Sequence, residues 1–496
     1  MATVTAEYAL MALAYKLREQ YGADVALLLA KKPEEFHGSR LRMFAGFNAS
    51  PSARGHTAVV NLIQNLYQLV GWGALTDSLI FCTTDPSPAD MGIFIEQMKA
   101  SNQNAKVRLY FVDGGTIVSC RPTKLVVGAI NPKPDEFVSL KGLPPVNGAW
   151  PELVRGDAKL TLDPGQKKFL AELLQVDTPI ARVLKHLGAV PYRIGAAGAP
   201  RFDGRQPQPA MSFHQLEGRG ADMFDSILML AAYALASPSV QQKGKQGGGA
   251  KVGAVLASAT GEILSWGTDR SATFHAEVTT IKLFQEKYHN DRIPDGARLY
   301  TSLEPCFMCS GLLASYKDVS RFTVLYGQTD PAVHNEASTF LKGLDFVKEI
   351  EAGMVPYLNS DRGSYARHID SKAAKLGTWK PKKYAKSVMQ QMEVASFSRV
   401  HAKAVLHLAG FGIAIALTQS GKQEKFLTAL WKQAVDLVSA VGGLPPATLL
   451  ARTGKHLDDT RGMNPALQQD APYMARPRAP NKWSEAAEAI AASLES

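Results

Sequence analysis

Four cysteines in 496 residues are too few for a disulfide-stapled scaffold and indicate a reducing compartment. No stretch approaches the roughly 20 uninterrupted apolar residues that a membrane span requires. The most apolar one, around Val405–Leu417, contains His407 and is predicted to be a buried helix. The N-terminus has no basic segment followed by a long apolar core, so it predicts an amphipathic helix rather than a signal peptide. We therefore expect a soluble cytoplasmic protein that does not contact a membrane.

The excess of positive charge is also small. Lysine and arginine number 55 against 45 acidic residues, a net charge of +10. This excess permits a nucleic-acid partner without requiring one, so the distribution of the charge matters more than its total. The length allows about two to four domains. The apolar share of 46% is that of a globular protein and excludes a wholly disordered or coiled-coil chain.

Two short segments carry residues suited to metal chemistry. An H-x-E segment, His275 to Glu277, is followed after 27 intervening residues by a P-C-x-x-C segment that begins at Pro305. This pattern is the signature of zinc deaminases that act on nucleobases. One imidazole and two thiolates, from His275, Cys306 and Cys309, would leave the fourth position of a tetrahedral Zn²⁺ open, as a catalytic site requires.

The flanking sequence predicts where these residues lie. The strand-like run Ala297–Leu303 precedes Pro305, a residue favoured at helix starts, so both cysteines are expected in the first turn of the next helix. The partial positive charge at a helix N-terminus favours thiolate over thiol. Thr273 is the predicted N-cap of the helix that carries the H-x-E segment and runs to about Lys287.

Glu277 is the predicted catalytic residue. The three other residues complete the ligand set, so the carboxylate of Glu277 is available as the general acid–base. It would take the proton of the attacking water, pass it to the ring nitrogen beside the attacked carbon and later protonate the leaving amine. The bound metal would lower the pKa of the water towards neutrality. The alternatives are a purely structural zinc site or a binding module without turnover, and the presence of Glu277 beside a full ligand set argues against both. The other cysteines, Cys82 and Cys120, are expected to be small core residues.

Residues 225–350 resemble the cytidine deaminase-like superfamily and, within it, the bacterial tRNA adenosine deaminases. The segments that carry the resemblance are Val252–Leu256, Glu262–Gly267, Phe274–Phe284, Leu299–Leu312 and Arg321–Gly327. The resemblance implies an α/β fold, a three-layer α-β-α domain around a mixed central sheet, with Zn²⁺ as the cofactor.

The resemblance also implies where a substrate would bind. The tRNA enzymes place an asparagine against the ribose just after the second strand, whereas here Trp266 is followed by Gly267, Thr268 and Asp269. We expect Thr268 or Asp269 to substitute for the asparagine. The predicted substrate-binding residues are Trp266, Thr268, Asp269, Ala276 and Pro305. The choice between adenine and cytosine depends on the shape of the pocket and stays open.

The N-terminal region repeats the pattern without its chemistry. Matching positions, at offsets of 218 or 219 residues, are Tyr8–Leu17 with Ser226–Leu235, His56 with His275, and Pro86 with Pro305. Ala58 replaces the glutamate, and Ser87 and Asp90 replace the cysteines. We therefore predict a degenerate deaminase-like domain without metal, with Thr84–Gly92 at a strand-to-helix junction. The alternatives are an unrelated α/β domain and, since a hydroxyl is a poor zinc ligand, a weak His/Asp/Ser metal site.

Four regions are expected along the chain. They are a degenerate deaminase-like domain (1–130), a connecting region with a linker (131–221), a catalytic domain (222–350) and a helical extension (351–496). In the extension, Ser398–Gln419 and Lys425–Val441 predict a helical hairpin that ends at Gly442 and Gly443, and Ser484–Leu494 predicts a last helix.

A basic segment, Asp361–Lys386, follows the catalytic domain and bears on the substrate. Lys380, Lys382 and Lys383 lie among aromatic residues, a mixture that serves phosphate contacts and base stacking, although a solvated basic face has the same composition. We expect a base in RNA, such as tRNA, to be the substrate. The alternative is a free nucleoside, nucleotide or related small heterocycle; a riboflavin-pathway deaminase would need a reductase-like domain, which the helical extension does not resemble. Tandem copies are expected to replace the homodimer common in this superfamily.

Overall fold

The computed structural model describes residues 4–30, 42–48, 55–70, 78–100, 107–113, 115–120, 136–139, 143, 145–149, 153, 211–241, 252–288, 292–316, 320–327, 347–349, 386–459 and 483–495. Its α-helices are α1 (Ala6–Tyr21), α2 (Ala58–Val70), α3 (Pro88–Ala100), α4 (Gly220–Leu235), α5 (Ala276–Tyr288), α6 (Phe307–Ala314), α7 (Lys386–Thr418), α8 (Gly421–Gly442), α9 (Pro446–Asp459) and α10 (Trp483–Glu495). Its strands are β1 (Val25–Ala30), β2 (Arg42–Phe47), β3 (Leu79–Cys82), β4 (Arg108–Asp113), β5 (Thr116–Cys120), β6 (Glu136–Ser139), β7 (Gly253–Ala257), β8 (Ile263–Thr268), β9 (Arg298–Thr301), β10 (Thr323–Tyr326) and β11 (Val347–Glu349).

The chain packs into two compact units. The first comprises Met1–Pro200, Cys306–Val319 and Asn335–Asp345. The second comprises Arg201–Pro305, Ser320–His334 and Phe346–Ser496. Helix α6 therefore packs with the N-terminal part of the chain, against α3.

Each unit contains a mixed sheet, with strand orders β2-β1-β3-β4-β5-β6 and β11-β10-β9-β7-β8. In the first sheet β1 is antiparallel to both β2 and β3, and β4 is parallel to β3. In the second sheet β7 is likewise antiparallel to both β8 and β9, and β10 is parallel to β9. The next strand differs, because β5 is antiparallel to β4 whereas β11 is parallel to β10. The predicted fold class, α/β with mixed sheets flanked by helices and a helical C-terminal region, is confirmed.

The helices lie on both faces of each sheet. Apolar side chains of α1 pack on one face of the first sheet, and those of α4 pack on one face of the second. The α4 side chains are almost completely buried, because α7 and α8 cover the side that faces away from the sheet. On the opposite face, Gly46 lies under α2 and Gly267 lies under α5; a β-carbon on either would come within 2.6 Å of the helix. Glycine at these two positions lets the site-bearing helix approach its strand closely.

A buried ion pair holds strand β9 against helix α4. The Arg298 side chain of this strand donates two hydrogen bonds to Asp225 of α4, at 3.0 and 2.8 Å. The Tyr300 hydroxyl donates to the same carboxylate at 2.5 Å, and burial raises its pKa well above the usual value. Because side chains alternate along a strand, these contacts leave Thr301 on the other face, towards α5.

The helical extension follows the predicted hairpin with shifted bounds. Helix α7 begins at Lys386, twelve residues before the predicted start, and ends at Thr418. Helix α8 ends at Gly442, and Gly443 adopts the left-handed conformation of a C-cap, as predicted. The basic residues Lys380, Lys382 and Lys383 lie outside the described residues.

One helical window, His401–Thr418, is long and apolar enough to cross a membrane, and the pair α8 and α9, bent by 71°, passes the same test together. The window is 61% buried inside the protein. Core helices of soluble proteins have the same properties, so this is weak evidence for a span. Its first half is buried as predicted around His407, while Ile413 and Leu417 are exposed.

Two histidines of this helix should make the protein acid-labile. Burial lowers the pKa of both His401 and His407 to about 3, from 6.5, and Lys403 adds to the effect on His407. The folded chain therefore binds fewer protons than the unfolded chain between these values, and stability is lost as the pH falls from about 6.5 towards 3. At pH 5 the cost is about 2 kcal/mol for each histidine.

Thermal unfolding at pH 7 and pH 5 tests this. The double variant His401→Gln/His407→Gln should lose most of the pH-dependent drop in Tm. The variant His214→Gln, at an exposed histidine, should keep it. Equal drops in all three proteins would contradict the assignment.

Candidate active site

The structure brings together the three predicted metal ligands. The ligand atoms of His275, Cys306 and Cys309 all lie within 4.8 Å of one another. Both cysteines are buried, and the histidine is partly exposed. Across the part of the chain that the structure describes, this is the one group of three or more His, Cys, Asp or Glu residues close enough to hold a metal ion.

The sulfur spacing fits a shared metal. The two Sγ atoms are 3.6 Å apart, and neither cysteine forms a disulfide. Two thiolates at 2.3 Å from one tetrahedral zinc ion lie about 3.8 Å apart, whereas a disulfide would need about 2 Å. The donor set of one imidazole and two thiolates is therefore suited to zinc in both chemistry and spacing.

The start of α6 explains why the sulfurs meet. Cys306 is the N-cap of this helix and Cys309 is its third residue. Side chains at these two positions converge, as they do in a capping box. The helix starts two residues later than Pro305 indicated, and the cysteines still lie at the positive end of the helix, where the dipole stabilises thiolates.

The start of α5 differs from the prediction. The helix begins at Ala276, so Thr273 is not its N-cap; it lies in the preceding turn. The cap comes from Asp269, whose Oδ1 accepts a hydrogen bond of 2.9 Å from the Ala276 N–H. This carboxylate fixes the first turn, on which His275 and Glu277 flank Ala276.

Glu277 is held by a residue that the sequence did not single out. Its side chain is only 3% exposed. The Thr301 hydroxyl, at the end of β9, donates a hydrogen bond of 2.9 Å to Glu277 Oε1, with Leu303 O as a second acceptor at 3.2 Å. Threonine is common in strands, so the sequence contains no signal for this role. The contact becomes visible only when β9 is placed beside α5.

The structure places the predicted substrate-binding residues as follows. Thr268, Ala276 and Pro305 are buried. Trp266 packs against the apolar cluster around α4, on the face of the sheet opposite Gly267 and α5. Asp269 is engaged in capping. A direct contact of these residues with a substrate stays a prediction.

The corresponding helix junction in the N-terminal region contains a hydrogen-bond network. Strand β3 ends at Cys82 and α3 begins at Pro88, so Thr84–Gly92 lies at a strand-to-helix junction, as that hypothesis requires. Ser87 and Asp90 form a capping box: the Ser87 N–H and hydroxyl donate to Asp90 Oδ2 at 2.7 and 2.8 Å, and the Asp90 N–H donates to Ser87 Oγ. Thr57, before α2, donates to the other oxygen of Asp90.

This network uses both carboxylate oxygens of Asp90. Burial raises the pKa of the Asp90 carboxyl, while the hydrogen bonds from Thr57 and Ser87 act in the opposite direction. His56 is buried near the start of α2. Because both oxygens already accept hydrogen bonds, the geometry favours a structural role over the weak metal site considered from the sequence.

Comparison with known proteins agrees with this geometry. Residues 245–343 match the family model described as Bd3614-like deaminase. A stretch of 59 residues is 41% identical to a tRNA-specific adenosine deaminase of Agrobacterium fabrum (strain C58 / ATCC 33970). That stretch covers 12% of this chain and 36% of the relative, so the chain spans about a third of the relative's length. Together with the His–Cys–Cys cluster, these similarities support deaminase activity, and residues 245–343 are similar to the Bd3614-like deaminases of the cytidine deaminase-like superfamily.

Proposed function

We propose that this protein is a zinc-dependent hydrolase of C–N bonds that converts an amino-substituted nucleobase, adenine or cytosine, to the keto base and releases ammonia. The observation that carries the proposal is the convergence of His275, Cys306 and Cys309, with Glu277 buried one residue beyond Ala276 in the same helix turn. A metal-binding role alone would need the three ligands. Hydrolysis requires, in addition to these ligands, a group that transfers protons, and the buried carboxylate of Glu277 can do this.

The four site residues have two different roles, metal binding and acid–base catalysis. His275, Cys306 and Cys309 would hold the metal, and zinc at this position supplies the Lewis acidity that lowers the pKa of water towards neutrality. Thr301 donates its hydrogen bond to Oε1 of Glu277, and the carboxylate held in this way is suited to accept the proton of the attacking water. Glu277 would deliver this proton to the ring nitrogen, then take the remaining proton from the hydroxyl added to the base and pass it to the leaving amine. The sum is base plus water to keto base plus ammonia.

Thr301 is the positioning residue for Glu277 in this scheme. Replacing Thr301 by valine keeps the shape and removes the hydroxyl. A hydrogen bond to a charged group contributes about 1.5–3 kcal/mol, so kcat should fall roughly 10- to 100-fold. KM and zinc content should change little, because the hydroxyl orients the acid–base group and binds neither metal nor substrate.

Steady-state kinetics with metal analysis check this prediction. Thr301→Ser retains the hydroxyl and should recover most of kcat. A loss of zinc in Thr301→Val, or equal losses in both variants, would indicate a packing role instead.

For the substrate, we propose a base within RNA, such as a tRNA. The support is the similarity to a protein named as a tRNA-specific adenosine deaminase, together with the basic segment that contains Lys380, Lys382 and Lys383. A base in a loop is accessible for such chemistry, since unstacked bases can be splayed out. We place the protein in the cytoplasm, where such RNA and a reducing environment for the thiolates occur together.

Charge reversal of the three lysines distinguishes RNA from a free nucleoside or nucleotide. Lys380→Glu/Lys382→Glu/Lys383→Glu should raise KM for RNA and make that KM less dependent on salt, because fewer phosphates are neutralised, while activity on a free nucleoside would not change. The matched control reverses three exposed lysines of α8: Lys422, Lys425 and Lys432. Unchanged RNA kinetics in the first variant, or turnover of free compounds only, would favour the small-molecule alternative.

We also propose that residues 1–130 are a degenerate copy of the catalytic domain at 222–350, joined by 131–221 and followed by the helical extension at 351–496. The shared strand order of the two sheets supports this, as does the close approach of Gly46 and Gly267 to their helices. So does the position of Ser87 and Asp90, which occupy in α3 the places that the cysteines occupy in α6.

A further inference from the structure

Helices α3 and α6, which belong to the same compact unit, touch at two glycines. A β-carbon on Gly92 would lie 2.3 Å from the Phe307 carbonyl oxygen and 3.1 Å from Gly311 Cα. A β-carbon on Gly311 would lie 2.2 Å from the Pro88 carbonyl oxygen and 3.0 Å from Gly92 Cα. The close atoms are backbone atoms that cannot rotate away. Both positions therefore require glycine for this approach.

The contact is reciprocal. Pro88 and Phe307 are 219 positions apart, and so are Gly92 and Gly311. This is the offset that relates His56 to His275. In a two-fold contact, residue i of one copy meets residue j of the other while j meets i. A chance crossing of two unrelated helices gives no reason for both contacts to share the offset of the sequence repeat.

We propose that α3 is the positioning partner of the metal-binding helix, in the role that the same helix of a second subunit would have in a two-fold dimer. The N-terminal region has lost its own ligands and keeps this function: its Gly92 and Pro88 backbone sets the position of α6, and hence of Cys306 and Cys309. This inference rests on the proposed zinc site and is independent of the substrate.

The position of α6 matters because this helix is short. It has eight residues, and both cysteines lie in its first turn. Phe307 and Met308, between them, are buried to 1% and 3% exposure, so the turn has little freedom to adjust. Metal–ligand distances tolerate about 0.2 Å. A side chain inserted between α3 and α6 would displace α6 by more than this distance. The displacement would lower the affinity for zinc.

The test is zinc affinity in the full chain. Gly92→Ala and Gly92→Val should weaken zinc binding in a graded manner, by about tenfold or more for valine, and Gly311→Val should have the same effect. The control is Gly148→Val in the same unit, where an added β-carbon meets no atom within 4 Å. Binding is measured by competition with a chromophoric chelator and by the cobalt–thiolate charge-transfer band after cobalt substitution. Circular dichroism verifies that each variant is folded.

The outcomes separate the two proposals. If the wild type binds one zinc and folded Gly92→Val binds it with unchanged affinity and an unchanged cobalt spectrum, the positioning role of α3 is wrong while the zinc site stands. If the wild type binds no zinc, the proposed function itself fails. Should Gly92→Val not fold, Gly92→Ala decides by the same criteria. Zinc affinity that falls from wild type to alanine to valine, with Gly148→Val unaffected, supports the inference.

Discussion

Replacing Glu277 by glutamine should reduce deamination by a factor of about 10² to 10⁴. The amide cannot accept the proton of the attacking water, so the acid–base function is lost. Its oxygen can still accept the hydrogen bond from Thr301, which lies 2.9 Å away, so the local structure should persist. Zinc content should stay at about one per chain, because Glu277 is outside the His–Cys–Cys ligand set.

The matched control is Glu286→Gln. Glu286 lies on the same helix, is exposed and has no part in the site, so its replacement should leave the rate unchanged. Rates are compared by ammonia release at saturating zinc. If Glu277→Gln retains more than about a tenth of wild-type activity with zinc bound, another group performs the proton transfer.

Removing one thiolate should have an equally large effect by a different route. Cys309→Ser should lower the zinc content from about one per chain to near zero and abolish deamination, because a hydroxyl is a poor zinc ligand. The folded chain should also lose the stabilisation that the bound ion provides, about 2.7 kcal/mol at a zinc concentration 100 times Kd. Cys309 is fully buried, and its Sγ lies 3.6 Å from that of Cys306.

Cys82→Ser is the control, since Cys82 is a buried thiol on β3 in the other sheet. It should lower the Tm through the cost of a polar atom in the core and keep its zinc. Metal analysis by mass spectrometry and thermal unfolding with and without a chelator distinguish the two variants. Full zinc occupancy in Cys309→Ser would contradict the assigned ligand set.

The ligands were predictable from sequence because their chemistry is local. The H-x-E and P-C-x-x-C segments each occupy one helix start, and a strand between them fixes their approach. The first-turn position of the cysteines follows from Pro305 to within two residues, since only the exact N-cap differed. The hairpin of α7 and α8 was also predictable, from its apolar pattern and the glycines at its end.

What the sequence did not reveal depends on contacts between distant segments. Thr301 is an unremarkable strand residue until β9 is placed beside α5. The position of Thr268 and Asp269 after the second strand predicts that one of them contacts a ribose, whereas the role of Asp269 in capping α5 depends on the geometry of the turn. Gly92 and Gly311 are glycines within apolar helices, and only the approach of α3 to α6 shows why a side chain there is excluded.

Glu277-dependent deamination of a nucleobase tests the central claim most directly. Metal-replete wild type and Glu277→Gln are incubated in parallel with total tRNA, single-stranded DNA, and free adenosine, cytidine and their nucleotides. Ammonia release is measured, and the products are identified by nucleoside mass spectrometry. We predict inosine or uridine in tRNA from the wild type alone. No ammonia from any substrate by zinc-loaded wild type, or equal product from both proteins, would contradict the account.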